Sequence, residues 1–322
     1  MQFKLGFSLP LGLSGLPQPL CAIPYHELIL MTNPAPADAA PAGSRFFINL
    51  PHYRIDMFLA AAATDLVVTF EPMGRRKTFG EGREGWGMRF LQGLGYSVMA
   101  VMIKDCDWYR QADLAAFFAQ MQARGFFRSF AKVSTYGGSM GGFAALAYAD
   151  AVSADIVLSL NPQASLAAAF APWESRFPFV DRKQWQEGLN NAAAGFKRVR
   201  QAYVIYDPWL ALDAKQVQLL VADNPALVRL KVPAVGHGMP KWLAEMGLLK
   251  PTVGAILAGQ FCLADFYQQA RKRRTLRRYW QLLIALPRVA KSPLFTEIVG
   301  RYAAQYGFPY RQGTFALPDA AL

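Results

Sequence analysis

Cysteine and histidine are both scarce in this chain of 322 residues, with three of each. Cys21, Cys106 and Cys262 lie far apart and are odd in number, which excludes a disulfide framework and is typical of a reducing compartment. No Cys-x-x-Cys or His-x-x-x-His pair occurs. We therefore expect neither a metal site nor a cofactor.

Long apolar runs are missing as well. Proline, glycine and charged residues interrupt every candidate before the roughly 18–20 residues that span a bilayer, so no transmembrane segment is predicted. The first 24 residues hold one lysine and a proline-rich apolar stretch, which is a poor match to a secretory signal. We therefore expect a cytoplasmic protein, and the apolar content of 53% is enough for a sizeable core.

Acidic residues are rare towards the C-terminus. Residues 262–322 hold ten Lys and Arg against three Asp and Glu, so they supply +7 of the net charge of +12. Apolar residues at helical spacing predict one long helix over 262–286, ended by Pro287, and a second over 294–306. The basic surface suits an anionic partner, such as nucleic acid or anionic lipid, but no nucleic-acid motif accompanies it. A solvated basic helix face is the favoured interpretation.

The patterns predict three parts. Residues 1–44 are rich in Pro, Ala and Gly without a sustained period, and are expected to form a loosely ordered extension. Residues 45–258 alternate short apolar or β-branched runs with longer helical stretches. Residues 259–322 lack strand patterns and are expected to form a basic helical appendage.

Seven strands are predicted in the central part. They are Phe46–Leu50, Leu66–Phe70, Ser97–Met102, Lys132–Thr135, Ile156–Leu160, Ala202–Tyr206 and Val228–Val232. Because continuous apolar strands separated by helices are buried on both faces, the predicted fold is α/β, with a mostly parallel central sheet flanked by helices. Residues 161–200 break the alternation with Trp173, Phe177, Phe179 and Trp185, and are expected to form an inserted cap.

One glycine-rich segment carries a chemical signature. Gly137-Gly138-Ser139-Met140-Gly141 matches Gly-x-Ser-x-Gly between a predicted strand and a predicted helix. A serine on such a sharp turn has a strained backbone and an exposed hydroxyl, and glycines are needed where side chains would collide with the strand and helix. The alternative is a glycine-rich turn that only packs a helix on a sheet or holds a phosphate.

With this segment, residues 46–258 resemble the α/β-hydrolase superfamily. The resemblance also rests on Tyr206-Asp207-Pro208-Trp209-Leu210-Ala211-Leu212-Asp213 and on Val235-Gly236-His237-Gly238. The chain is most similar to poorly characterised bacterial serine hydrolases of this fold, rather than to a lipase or a peptidase. The resemblance implies the chain order serine, acid, histidine, with the histidine after the last core strand.

Serine is a weak nucleophile without a base, and His237 is the only histidine after Ser139. His237 is therefore the predicted general base, with a surface-loop histidine as the alternative. A carboxylate should orient its imidazole. Asp207 and Asp213 both follow the strand that ends at Tyr206, and the pattern does not separate them, although Asp213 is slightly favoured. Asp213 is also a candidate helix cap.

An oxyanion hole needs two aligned donors. The backbone N–H of Met140 is the first candidate. The second should come from the loop after Leu66–Phe70, where Glu71 and Met73 are the candidates because Pro72 has no N–H. No His-Gly-Gly-Gly run occurs in this loop, which argues against the lipase branch.

Trp108 and Tyr109 follow a predicted strand, at the edge of the sheet where ligand crevices form. They are expected to wall a substrate pocket, with core packing as the alternative.

Together these residues predict a serine hydrolase that cleaves an ester, thioester or amide through an acyl-enzyme on Ser139. Its substrate is expected to be a small-molecule or glycan-linked acyl compound. An acyltransferase would use the same residues and would differ only in what attacks the acyl-enzyme. A non-catalytic interaction module on the same fold is the third interpretation.

Overall fold

The computed structural model describes residues 43–61, 63–74, 83–181, 185, 188–311 and 314–315. The predicted extension over residues 1–44 lies almost wholly outside these residues.

Strands and helices alternate along the described part of the chain. The strands are β1 Ser44–Asn49, β2 Tyr53–Leu59, β3 Asp65–Phe70, β4 Ser97–Ile103, β5 Lys132–Gly138, β6 Ile156–Leu160, β7 Gln201–Tyr206, β8 Val228–Lys231, β9 Tyr310–Arg311 and β10 Thr314–Phe315. The α-helices are α1 Met88–Gln92, α2 Ala112–Ala123, α3 Met140–Ala147, α4 Ala211–Asp223, α5 Met239–Glu245, α6 Leu249–Leu257, α7 Leu263–Ala270, α8 Arg277–Ala285, α9 Pro287–Ala290 and α10 Pro293–Ala304. Short 3₁₀ helices span Phe127–Ser129, Ala192–Phe196 and Arg271–Thr275.

Eight strands form one sheet in the order β1-β2-β4-β3-β5-β6-β7-β8. β2 runs antiparallel to both of its neighbours, and every other pair from β4 to β8 is parallel. β3 to β6 are buried along almost their whole length, which explains why β3, β4 and β6 are mostly apolar in sequence. The predicted α/β fold, with a mostly parallel central sheet flanked by helices, is confirmed.

β2 falls outside the predicted strands because Arg54 and Asp56 interrupt its apolar pattern. Asp56 is fully buried and accepts hydrogen bonds from the Arg45 guanidinium at 2.7 Å and from the Gly85 backbone N–H at 2.8 Å. A buried carboxylate needs such partners. They come from β1 and from the segment before α1, so no local pattern reveals them.

The single long helix predicted over 262–286 is wrong. After α7 the chain forms the 3₁₀ helix Arg271–Thr275, and Leu276 is extended, with φ −106° and ψ 122°, before α8 begins. The break falls in a run of basic residues. A continuous helix would place Arg273 and Arg274 four residues before Arg277 and Arg278, and like charges at that spacing disfavour a helix. The indole N–H of Trp280 donates to the carbonyl of Arg274 at 2.8 Å, and the turn leaves Trp280 only 3% exposed.

Some basic side chains of the C-terminal region are engaged within the chain. Arg278 forms an ion pair with Glu245 at 2.8 Å, and its guanidinium lies 3.8 Å from the ring centroid of Trp242. The guanidinium of Arg288 lies 4.5 Å from the ring centroid of Trp209. An anionic partner for the basic surface stays a prediction.

Between β6 and β7, the described part of residues 161–200 contains one 3₁₀ helix and neither an α-helix nor a strand. Aromatic contacts hold this segment on the rest of the structure. The ring of Trp108, after β4, lies 4.9 Å from that of Phe177 and 6.0 Å from that of Trp185, centroid to centroid. The division of the chain at residues 44 and 258, and the cap over 161–200, stay predictions.

Among the helices that the structure describes, none has both the length and the apolar character that a bilayer span requires.

Gly195 packs directly on the end of α3. A Cβ there would lie 2.1 Å from the carbonyl oxygen of Ala147, and backbone cannot move aside as a flexible side chain can. We expect Gly195→Ala to lower the free energy of unfolding by about 1–3 kcal/mol or more, measured by urea denaturation. Gly254→Ala is the matched control, because its nearest neighbour is Leu94 Cδ1 at 3.7 Å and alanine favours the helix by about 0.5–1 kcal/mol. Equal stabilities of the two variants would contradict this packing.

Candidate active site

Ser139 lies on the turn between β5 and α3, with φ 54° and ψ −118°. A positive φ is unfavourable for a residue with a side chain, so the surroundings must hold it. A Cβ at Gly137 would lie 2.0 Å from the carbonyl oxygen of Gly141, and one at Gly141 would lie 2.2 Å from that of Phe70 in β3. The strand, the turn and the helix thus approach more closely than side chains allow.

The hydroxyl of Ser139 faces His237, which lies in the loop between β8 and α5. Ser139 Oγ is 2.9 Å from His237 Nε2, and His237 Nδ1 is 2.8 Å from Asp213 Oδ2. Asp213, in the first turn of α4, is fully buried. Because a carboxylate only accepts, Nδ1 must carry the proton, which leaves the Nε2 lone pair facing the serine O–H. A general base requires this order of hydrogen bonds.

Asp207 contacts the backbone of the histidine loop rather than the imidazole. Its Oδ2 accepts from the N–H groups of Val235 at 2.8 Å and Gly236 at 2.7 Å, and its Oδ1 accepts from that of Trp209 at 2.8 Å. Of the two carboxylates that the sequence leaves open, the structure brings Asp213 to the imidazole and Asp207 to the loop that carries it.

An open cavity of about 610 Å³ adjoins Ser139 and His237. Most of its wall is apolar and comes from Pro72, Met73, Phe177, Leu210 and Pro240. Asn161, Arg176 and Lys241 add polar groups to the wall. Within the described residues, no group of three or more His, Cys, Asp or Glu side chains is arranged to hold a metal ion.

The predicted oxyanion donors come from two parts of the chain, the start of α3 and the segment after β3. Met140 begins α3, so its N–H is one of the first amide groups of the helix, which have no partner within it. Met73 lies on the cavity wall. Glu71 is 2% exposed, its carboxylate accepts from the N–H of Ile103 at 2.6 Å, and its carbonyl accepts from the Tyr109 hydroxyl at 2.8 Å. The second donor stays a prediction.

Three features now coincide. The sheet has eight strands with one antiparallel to its neighbours, a strained serine follows the fifth strand, and a histidine follows the last strand of the sheet. The chain has the α/β-hydrolase fold. In this α/β-hydrolase sheet, the carboxyl ends of β5, β7 and β8 supply the serine, the two carboxylates and the histidine to one edge.

No family model and no curated protein matches this sequence. Among solved structures, it is similar to a capsule O-acetyltransferase of Neisseria meningitidis serogroup A in complex with CoA, at 12% identity and a TM-score of 0.48, over 66% of this chain and 94% of that one. It is also similar to a dienelactone hydrolase from Anabaena variabilis, at 12% identity and a TM-score of 0.45, over 68% and 98% of the two chains. An esterase of Pyrobaculum calidifontis has 16% identity and a TM-score of 0.46, over 70% and 86%.

The structure places Trp108 and Tyr109 in the core of this fold, and neither residue lines the cavity beside Ser139. Both residues are fully buried and have positive φ angles of 55° and 59°, which turn the connection after β4 inward. The indole N–H of Trp108 donates to Gln163 Oε1 at 3.1 Å, and the ring of Tyr109 stacks on that of Tyr53. Both residues thus pack in the core as the alternative expected, and a role in walling a substrate pocket stays a prediction.

Two carboxamides without a sequence signature lie beside the serine and the histidine. Asn161 Nδ2 is 3.1 Å from His237 Nε2, and Gln163 Nε2 is 3.4 Å from Ser139 Oγ. Because an indole N–H only donates, Trp108 fixes the oxygen of Gln163 and leaves its amide nitrogen towards the serine. Both carboxamides follow β6, and this edge position is the only signal that could have revealed them.

A partly buried ion pair from the segment between β6 and β7 also reaches the site. Arg176 Nη1 lies 2.5 Å from Asp213 Oδ1, and its Nη2 lies 2.7 Å from Glu174 Oε2. Burial opposes the charge of Arg176, but hydrogen bonds to Glu174 and Asp213 outweigh it and raise the pKa of the guanidinium. Burial likewise opposes the charge of Glu174, but hydrogen bonds from Arg176 and Gln216 outweigh it and lower the pKa of the carboxyl. Both side chains are therefore charged at neutral pH, and no spacing in the sequence signals the pair.

The three backbone N–H groups on Asp207 give a stability prediction. Asp207→Ala leaves them without their acceptor in a largely buried place, so we expect the free energy of unfolding to fall by about 1–3 kcal/mol, measured by urea denaturation. Asp223→Ala is the control, because its side chain is exposed and the expected change is within about 0.5 kcal/mol. An unchanged stability of Asp207→Ala would contradict its support of the loop.

Proposed function

We propose that this chain is an enzyme of the serine hydrolase or acyltransferase type, with Ser139 as nucleophile, His237 as general base and Asp213 as the carboxylate that orients the base. One observation carries the proposal. Ser139 Oγ, His237 and Asp213 are joined by contacts of 2.9 Å and 2.8 Å, with the serine on a strained turn beside an open cavity.

The first half of the reaction follows from these contacts. Ser139 Oγ attacks the acyl carbon of the substrate while its proton moves to His237 Nε2. Asp213, already bonded to Nδ1, stabilises the imidazolium that forms. The tetrahedral intermediate then expels its leaving group, which takes the proton back from Nε2, and the acyl group stays on Ser139.

Negative charge develops on the acyl oxygen in this step. The N–H of Met140 at the start of α3 is the proposed first donor to it, helped by the positive end of the helix. The backbone N–H of Met73 is the better candidate for the second donor, because Met73 lines the same cavity as Ser139 and Glu71 does not.

The second half of the reaction decides between hydrolysis and transfer. Water, activated by His237, releases the acid, whereas the hydroxyl of a second substrate takes the acyl group away. Both outcomes use the same side chains in reverse order. The proposal therefore covers both classes up to the acyl-enzyme.

The cavity suggests the class of substrate. Its apolar wall suits the hydrocarbon part of an acyl group, and its open side leaves room for a larger alcohol, such as a small molecule or a glycan. We propose an ester, thioester or amide of this kind as the substrate.

A non-catalytic module is the competing function, and the backbone of Ser139 argues against it. Holding a residue with a side chain at such a φ costs of order 1–3 kcal/mol and is useful only where the position of that side chain matters. A binding module has no such need at this turn.

Labelling with a fluorophosphonate probe and hydrolysis of p-nitrophenyl esters test the proposal. We expect Ser139→Ala and His237→Ala each to lower turnover by roughly 10⁴–10⁶-fold, because the three side chains act as a unit. The double variant should be worse than either single variant by less than about tenfold. Losses that add fully, or labelling that persists in Ser139→Ala, would contradict the assignment.

Asp213→Asn and Asp207→Asn separate the two carboxylates. Asp213→Asn should lower turnover by about 10⁴-fold, because the imidazole takes the wrong tautomer. Asp207→Asn should lower stability more than turnover, since Asp207 contacts the loop backbone. The reverse pattern in ester hydrolysis and urea denaturation would exchange the two roles.

A further inference from the structure

Asp213 contacts Arg176, which in turn contacts Glu174, and the proposed reaction uses neither of these two charges. Arg176 Nη1 contacts Asp213 Oδ1 at 2.5 Å, and His237 Nδ1 lies 3.0 Å from the same oxygen. Glu174 holds the same guanidinium through two bonds, of 2.9 Å to Nε and 2.7 Å to Nη2. The side chain of Glu174 is 2% exposed and that of Arg176 is 22% exposed, so solvent screens the pair only weakly.

The two charges act on the imidazole with opposite signs. A nearby cation disfavours the imidazolium form, and a nearby anion favours it. Asp213 alone would favour the imidazolium and so remove the free Nε2 lone pair that a general base needs. Arg176 offsets part of that effect, and Glu174 in turn offsets part of the effect of Arg176.

We propose that Arg176 and Glu174 are positioning residues that act through Asp213 to set the pH at which His237 becomes a free base. Arg176 keeps the imidazole neutral at a lower pH, and Glu174 limits this effect. This inference rests on the proposed function of Ser139, His237 and Asp213, and adds to it the segment between β6 and β7.

Apart from Asp213 and Asp207, the nearest charges to His237 that solvent screens only weakly are those of Arg176 and Glu174. Ser139 and Asn161 face the ring and carry no charge. Asp207 accepts hydrogen bonds from backbone N–H groups of the histidine loop. Lys241 in α5 is 74% exposed and lies 4.0 Å from Glu245, so solvent screens its charge.

A structural role for Arg176 predicts a different outcome from a charge role. The bonds to Glu174 and Asp213 use the planar fork of the guanidinium, which lysine cannot reproduce. Arg176→Lys keeps the charge and loses the fork, whereas Arg176→Gln loses both. Comparing the two variants therefore separates charge from geometry.

The experiment measures the rate of fluorophosphonate labelling of the full chain between about pH 5 and pH 9. The acid limb is the part of this pH profile where the rate falls as the pH is lowered, and it reports loss of the free base. We expect Arg176→Gln to move the midpoint of this limb up by about 0.5–1 pH unit, and Glu174→Gln to move it down by a similar amount. Arg176→Lys and the double variant Glu174→Gln with Arg176→Gln should stay near the wild-type midpoint, because both keep the net charge of the cluster.

Opposite shifts in the two glutamine variants support the inference. A limb that stays in place while Arg176→Gln and Arg176→Lys both label slowly at every pH would overturn it, and would make Arg176 a structural anchor. If Arg176→Gln does not fold, the downward shift of Glu174→Gln decides alone. Failure of the proposed function is distinguishable, because the wild-type chain would then label at a residue other than Ser139 or not at all.

Discussion

The close approach of the β5–α3 turn to β3 determines where every other group of the site must lie. Gly141 comes so near the Phe70 carbonyl that even a methyl group has no room, and the helix begins directly after Ser139. The serine hydroxyl and the first amide groups of α3 are thereby fixed at one point above the sheet edge. The connections after β7 and β8 only have to reach that point, and the parallel sheet brings their ends to the same edge.

The two carboxylates after β7 divide the support of His237 between them. Asp207 fixes where the loop lies, since it binds successive N–H groups just before the histidine. Asp213 fixes how the ring is turned, since it binds Nδ1. Complete burial of a carboxylate is costly unless its oxygens have partners, and Asp213 has them only because Arg176 occupies the oxygen that the imidazole shares. The segment between β6 and β7 is thus part of the site's electrostatics.

Local patterns in the sequence predicted those features of the structure that depend on residues adjacent along the chain. The turn around Ser139 is such a case, because its glycines, strand and helix are contiguous. His237 was found for another reason, namely that no other histidine follows the serine. The sequence does not show which of Asp207 and Asp213 orients the imidazole, because both follow β7. Their roles differ only in which part of the histidine loop, more than twenty residues further on, each of them contacts. Arg176 gave no signal, since its contacts exist only after folding.

The case of Trp108 shows why the edge of the sheet predicts the position of a loop but not the direction of its side chains. The connection after β4 does lie at the edge where ligand crevices form. Its positive φ angles turn Trp108 inward, against Phe177 and Trp185. The residue composition of the loop does not predict that turn. The inward indole nonetheless meets Gln163, whose amide nitrogen points at Ser139. A residue expected on the pocket wall therefore reaches the serine through a second side chain, so its influence on the site is one of orientation rather than of contact with a substrate.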